Sequence, residues 1–439
     1  MDILIMAAQM ILGLSILVGV HEFGHLLAAK AFGMRVEQYS IGFPPRIFKY
    51  NFGETVYSIG AIPLGGYVKI SGMIDESLDL KTMSEEPKPW EFRAKPAWQR
   101  LIVMMGGIIV NVLTGIIISV ILVYTYGDTN ITREELNKYG IVAHELAEEI
   151  GLKTGDKILK VNGEDYKYYS DIRSADVLLE DNAYYTVDRG GAVIDIPLPA
   201  NFLEKFSPRK NRDTRFIEPV RTFTVGEVEK GKGAEKGGMM VGDRIVKING
   251  EPVRFYHEVR GKLDELKGQV AAVTVNRDGQ MIDLDVEISE DGMAGFVAKF
   301  DTEYITIHYS LFESLPIGTK RAFNVVFVNI KAFGKIFSGD LNFSESVSGP
   351  IGIAKFFGGT WDWAWFWQLV GLLSMVLAFM NFLPIPALDG GHVMFLSFEI
   401  ITGRKPSDKF MEVAQKIGML LLLGLMVFII FNDIFKEIF

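Results

Sequence analysis

Ile3–Lys30 reads ILIMAAQMILGLSILVGVHEFGHLLAAK. Ile3 to Val20 is almost wholly apolar and passes without a helix breaker into His21–Lys30, enough for a membrane span of about 20 residues. A secretory leader is disfavoured, because Met1-Asp2 supplies no positive start and no small-residue cleavage site precedes the charged cluster. The segment is expected to stay as a helix. It carries His21-Glu22-Phe23-Gly24-His25, an HExxH cluster. Spacing of four puts both imidazoles on one helical face, where they can grip a single zinc ion, and Glu22 can reach an activated water as general base. Two histidines and a glutamate are costly inside a span, so such groups are functional by default. A polar patch satisfied within a helix bundle is the plainer alternative. If the helix starts near Ile3, His21 lies about 27 Å along it, towards the far end of the span.

The rest of the chain fits a membrane protein. Its 439 residues are 49% hydrophobic, with positive mean hydropathy, which is high for a soluble protein. The net charge of −9 and the lack of a basic, aromatic-interleaved block exclude nucleic acid as a partner. There is no cysteine, so disulfides and thiolate sites are ruled out and any metal must be held by His and carboxylate. Leu101–Tyr124 and Trp365–Leu383 read as further spans, and Ile417–Phe431 as a shorter fourth that Val413 and Ala414 extend. Lys30, Arg35, Arg93, Lys95 and Arg100 flank the first connection, and Arg404, Lys405, Lys409 and Lys416 fill the third. Both connections therefore read as cytoplasmic, which puts the N-terminus, the C-terminus and the long segment between spans two and three outside.

That long segment holds most of the charge and contains a duplication. Gly151–Glu164 reads GLKTGDKILKVNGE and Gly238–Glu251 reads GMMVGDRIVKINGE, eight identities in fourteen at an offset of 87 residues. Each copy has a Gly-Asp turn, an alternating apolar strand (Ile158, Val161; Ile245, Ile248) and an Asn-Gly turn suited to positive φ. These stretches resemble the PDZ domain, whose exposed strand edge takes up an extended peptide or C-terminus. Peptide or C-terminal ligands are thus expected partners, although Gly140–Glu149 and Gly226–Lys236 fit the family's carboxylate loop only loosely.

Two histidines do not complete a catalytic zinc site, which normally has three protein ligands. Asp389, in Leu388-Asp389-Gly390-Gly391 after Asn381, Pro384 and Pro386, is the best third ligand. The prolines interrupt the helix at membrane depth, and such irregular backbone is tolerated only where protein or a wet cavity surrounds it. A simple Asp-Gly turn at the membrane surface is the alternative, and His392 is the rival ligand. His144, His257 and His308 fall in the extramembrane part, with surface or core roles.

HEFGH on the first span, LDGG after the third and two PDZ-like repeats between spans two and three resemble, over nearly the whole chain, the site-2 protease family of intramembrane zinc metalloproteases. The likeness is strongest to its bacterial branch, the regulator of sigma-E protease type with tandem PDZ domains. The resemblance implies Zn2+ held by His21, His25 and Asp389, with Glu22 as base. It also implies that Asn381, Pro384 and Pro386 help position substrate. Ile41–Arg46 resembles the family's GFGP-type segment with Pro44 in place of Gly, and Gly60–Lys69, GAIPLGGYVK, resembles its strand pair. Val36–Gly72 is therefore expected to form a hairpin near the metal, turning at Asn51–Glu54, with Gly65, Gly66, Tyr67 and Val68 against substrate. Gly106, Gly107 and Asn111 resemble a GxxxN-type element near the site, and Ser348–Ile353 the family's SGP segment.

The expected architecture is a polytopic α-helical membrane protein with about four transmembrane helices, a membrane-associated β-hairpin sheet and two extracytoplasmic PDZ-like domains. Residues 1–125 hold the first two spans and the hairpin, 126–215 and 216–305 the PDZ-like domains, 306–364 a membrane-proximal linker and amphipathic segment, and 365–439 the last two spans. The implied role is zinc-dependent cleavage, in a bacterial inner membrane, of single-span proteins such as anti-sigma factors or remnant signal peptides, with the repeats on the periplasmic side. A membrane-anchored adaptor with a dead metal site is opposed by the intact Glu22. A zinc transporter would want a polar file through several spans, whereas the polar groups here cluster at one depth.

Overall fold

The computed structural model describes residues 2–73, 86–202, 205 and 215–438. Four helices among them are long and apolar enough to cross a membrane: Asp2–Ala31, Ala97–Tyr126, Trp363–Phe382 and Lys409–Lys436. All four expected spans are present, and the fourth is longer than its apolar run because polar ends continue the same helix over Asp408–Ile438. The second helix starts after Pro96, whose ring suits a helix entry, and stops at Gly127 with a φ of 64°.

The chain divides into two units, residues 1–127 with 308–439, and residues 128–307. In the first, the hairpin forms from β1, Val36–Phe52, and β2, Thr55–Ile70, paired antiparallel and joined at Gly53-Glu54. It is more folded than a plain hairpin. Gln38–Ile41 has partners on both flanks, Gly66–Lys69 on one and Val56–Ile59 on the other. Gly42, at φ 88°, and the cis Pro44-Pro45 bond lie where β1 turns to allow this. Gly66–Ile70 is left paired on one flank only among the described residues.

Residues 306–364, read as a membrane-proximal linker and amphipathic segment, contain a 28-residue helix, Leu311–Ser338. Its start is a capping box in which Glu313 N–H donates to Ser310 Oγ and Ser310 N–H donates to Glu313 Oε2, and Gly339 ends it at φ 84°. It packs on the second span so closely that a Cβ on Gly318 would lie 2.6 Å from Val120 Cα. Next, Pro350–Phe357 forms a short helix in the SGP segment. At its start Asp433 of the fourth span accepts N–H groups of Gly349, Ile351 and Gly352, and at its end Gln9 of the first span donates to Gly358 O.

The second unit opens and closes with one strand pair, Asp128–Asn130 against Ile305–Ile307, which brings the two ends of the inserted segment together. Each of the two similar stretches supplies a strand, Lys157–Val161 and Arg244–Ile248, with Ile158, Val161, Ile245 and Ile248 buried in separate cores. Their Asn-Gly turns have positive φ at Asn162, Gly163, Asn249 and Gly250. The aspartates of the two Gly-Asp turns are matched as well. Asp156 is gripped in a fork by Arg189 and Asp243 by Arg277, while Lys153 N–H and Met240 N–H donate to the same carboxylates. Residues 206–214, beside the expected boundary at 215, lie outside the described residues.

Candidate metal centre

His21 and His25 are buried on the inward face of the first helix, with their Nε2 atoms 3.3 Å apart. Asp389 Oδ2 lies 3.1 Å from His21 Nε2 and 3.3 Å from His25 Nε2. It is buried and accepts no hydrogen bond. Four-coordinate zinc has ligands at about 2.0–2.1 Å, which sets neighbouring donor atoms about 3.3 Å apart. The three atoms have that mutual spacing, and two imidazoles with a carboxylate are a donor set zinc accepts. The residues present therefore fit the ion.

Asp389 reaches the histidines because the chain turns sharply before it. The third span ends at Phe382 and a new helix starts at Asp389 itself, so LDGG opens a helix where the sequence had suggested the end of a span. Pro384 and Pro386 cannot donate backbone hydrogen bonds, and Ala387 adopts a φ of 75°. The loop then folds onto the glycines. A Cβ on Gly390 would stand 2.1 Å from Leu383 O, and one on Gly391 2.7 Å from Ile385 O. A larger residue at either place would force the loop or the start of the helix to shift.

The second helix aligns the two imidazoles. It crosses the first backbone to backbone, since a Cβ on Gly24 would lie 2.3 Å from Gly106 O. That proximity lets His25 Nδ1 donate to Val103 O at 2.8 Å, which leaves Nε2 as the free lone pair. Asn111 Nδ2 is 3.1 Å from His21 Nδ1, and Asn381 Nδ2 is 3.3 Å from His21 Nε2. Glu22, next in sequence to His21, lies close to the Val68 N–H of β2. Gly66 faces the same glutamate: a Cβ there would meet Glu22 Cγ at 3.4 Å and Val18 Cγ1 at 2.7 Å.

The structure thus gathers His21, Glu22, His25, Asp389, Asn381, Gly66 and Val68 around one point. Gly65 packs on the Phe43 ring, and Tyr67 Oη accepts from Gln38 Nε2 within the sheet. Pro384 and Pro386 shape the loop before Asp389. His392 stands outside the cluster, its Nε2 2.7 Å from Gln415 Nε2. Two contributors have no sequence signal: the Val103 carbonyl is backbone, and the part-buried Arg100–Glu399 pair at 2.5 Å, joining the second helix to the helix begun by Asp389, spans 299 positions.

A family model for peptidase family M50 matches residues 9–425. The chain belongs to peptidase family M50. It is accordingly a zinc metalloprotease of the site-2 protease type. Among similar proteins, the regulator of sigma E protease of Haemophilus influenzae is 29% identical, with 97% of this chain and 98% of the relative covered. A Vibrio cholerae protein provisionally named zinc metalloprotease is 30% identical over 98% of this chain and 99% of its own length. Protease RseP of Yersinia pestis is 29% identical over 99% of each.

Proposed function

We propose that this M50 peptidase cuts single-span membrane proteins within or beside the bilayer, with His21, His25 and Asp389 as zinc ligands and Glu22 as general base. The observation that carries this is the convergence of the three donor atoms beside Glu22 on a helix apolar enough to span a membrane. Zinc bound there supplies a Lewis acid that acidifies water and polarises a carbonyl. Glu22 takes the proton of the attacking water and returns it to the leaving amine. A transmembrane substrate must unwind before its carbonyls are accessible, and the one-sided edge of β2 offers Gly65, Gly66, Tyr67 and Val68 as a template for an added strand. Because Gly66 of the same strand packs against Glu22, the strand that would align substrate also borders the base. Asn381, against His21, then contacts the scissile segment, and Pro384 and Pro386 keep the loop beside it open.

The relatives' names point to sigma-E regulation, which makes anti-sigma-factor-like proteins the first substrates to try, followed by remnant signal peptides. The enzyme would act in a bacterial inner membrane, with the inserted unit as PDZ-like domains on the periplasmic side that bind peptides or exclude bulky ectodomains. The test is Glu22→Gln in membranes carrying a single-span reporter. Zinc should stay at one per chain while cleavage disappears; retained cleavage, or loss of zinc, would count against these roles.

A further inference from the structure

Asn111 is fully buried on the second helix, one turn beyond Gly107, and its side chain meets His21 Nδ1 at 3.1 Å through Nδ2 while its Oδ1 is buried without a partner. An imidazole whose Nε2 is to hold a cation carries its proton on Nδ1, and that N–H needs an acceptor. An amide N–H2 cannot be one, since two donors repel. A half-turn of the amide resolves both problems at once: Oδ1 gains the Nδ1 proton it lacks, and His21 gains its acceptor. The backbone around this amide is already anchored, because Ser374 Oγ of the third span, itself fully buried, donates to Asn111 O at 2.8 Å.

We infer that Asn111 is a positioning residue that accepts the His21 Nδ1 proton through Oδ1 and so fixes the tautomer that presents Nε2 to zinc. It does for His21 what the Val103 carbonyl does for His25. The two acceptors sit on one helix, about two turns apart, so the second helix sets the proton placement of both imidazoles. The inference rests on the reading of His21 as a zinc ligand.

Three variants of the full-length protein in detergent separate the ideas, with zinc affinity read by competition against a chelator. Asn111→Leu keeps the volume and removes the acceptor, and should weaken zinc by roughly 10–100-fold, the usual effect of losing an outer partner of a ligand histidine. Asn111→Asp offers only acceptors and should restore affinity to within about threefold of the native chain, a rescue that mere packing would not predict. His21→Ala should lose zinc more severely than either. If His21→Ala binds zinc like the native chain, the ligand reading fails. If His21→Ala loses zinc while Asn111→Leu holds it natively, or Asn111→Asp binds as poorly as Asn111→Leu, the inference about Asn111 is overturned. Should Asn111→Asp not accumulate, the nitrogen resonances of 15N-histidine in the zinc-loaded native chain decide. A protonated Nδ1 on His21 supports the assignment, and an unprotonated one refutes it.

Discussion

Gly107→Ala tests the idea that backbone proximity of the first two helices holds the metal ligands. A Cβ at position 107 would lie 2.5 Å from His25 Nε2 and 2.6 Å from His21 Cε1, whereas ordinary contact begins at 3.4 Å. One imidazole, or the whole second helix, must withdraw by about 0.9 Å, several times the roughly 0.2 Å by which zinc ligand distances vary. Helix propensity works in the opposite direction, since Ala is favoured over Gly by about 1 kcal/mol in a helix interior. Loss of function would therefore report the clash and not a weakened helix. Zinc affinity should fall by more than about 100-fold, beyond the range of outer-partner changes, and cleavage of a single-span reporter should fall with it. Gly334→Ala, on Leu311–Ser338 with nothing within 4 Å, is the control and should leave both unchanged. Native zinc affinity and native cleavage in Gly107→Ala would refute the reasoning.

Val68→Pro removes an N–H from the strand proposed to pair with substrate and should depress cleavage at unchanged zinc content, while Val68→Ala keeps the N–H and should cut nearly as well as the native chain; equal loss in both would implicate the side chain instead. Glu399→Ala strands the buried Arg100 guanidinium and should destabilise the membrane unit by on the order of 3 kcal/mol, read from unfolding in detergent, with partial recovery when the charges are exchanged in Arg100→Glu with Glu399→Arg. Burial alone would raise the Asp243 carboxyl, but hydrogen bonds from Arg277 and Met240 N–H override it and hold it below its ordinary value. Its stabilising effect is thus complete above the unfolded carboxylate's range and fades as pH falls through the lower, folded value. Hydrogen-exchange protection over Arg244–Phe300, taken relative to the intrinsic exchange rate, should fall below about pH 4 in the native chain and lose that pH dependence in Asp243→Asn.

The parts legible in the sequence were those governed by local pattern. HEFGH put two imidazoles on one helical face because the period of the helix is fixed, and the four apolar helices followed from apolar runs. The hairpin was visible in its strands and turn, but not the double pairing of Gln38–Ile41, which depends on the bend at Gly42. Leu311–Ser338 fell within the expected amphipathic segment, but its length and bounds were not legible. Pro316 and scattered polar residues break its apolar run, and the helix is completed by its capping box and by packing on the second span. Asp389 was found as a residue, yet its place at the start of a new helix depends on carbonyls of Leu383 and Ile385 pressing on glycines, a contact between backbone atoms that no side-chain pattern announces. The Val103 carbonyl is hidden for the same reason. Arg189 and Arg277, which grip the two turn aspartates, lie more than thirty residues from them and outside the matching stretches.

The wide separation of the proposed ligands along the chain has a consequence for how the protein is made. His25 and Asp389 are 364 positions apart, so at about 5–20 residues per second some 20–70 s of synthesis pass between them. Through that interval a nascent chain holds two histidines and a glutamate in an apolar helix without the carboxylate that completes the set. Val103 and Asn111 emerge far sooner, within about 4–20 s of His25 at the same rate, and bring a hydrogen-bond partner for each imidazole. The second helix can therefore shelter the polar cluster from lipid early. The ribosome delivers Asp389 only after the inserted unit has been made, and on the proposed ligand set peptide hydrolysis has to wait for it.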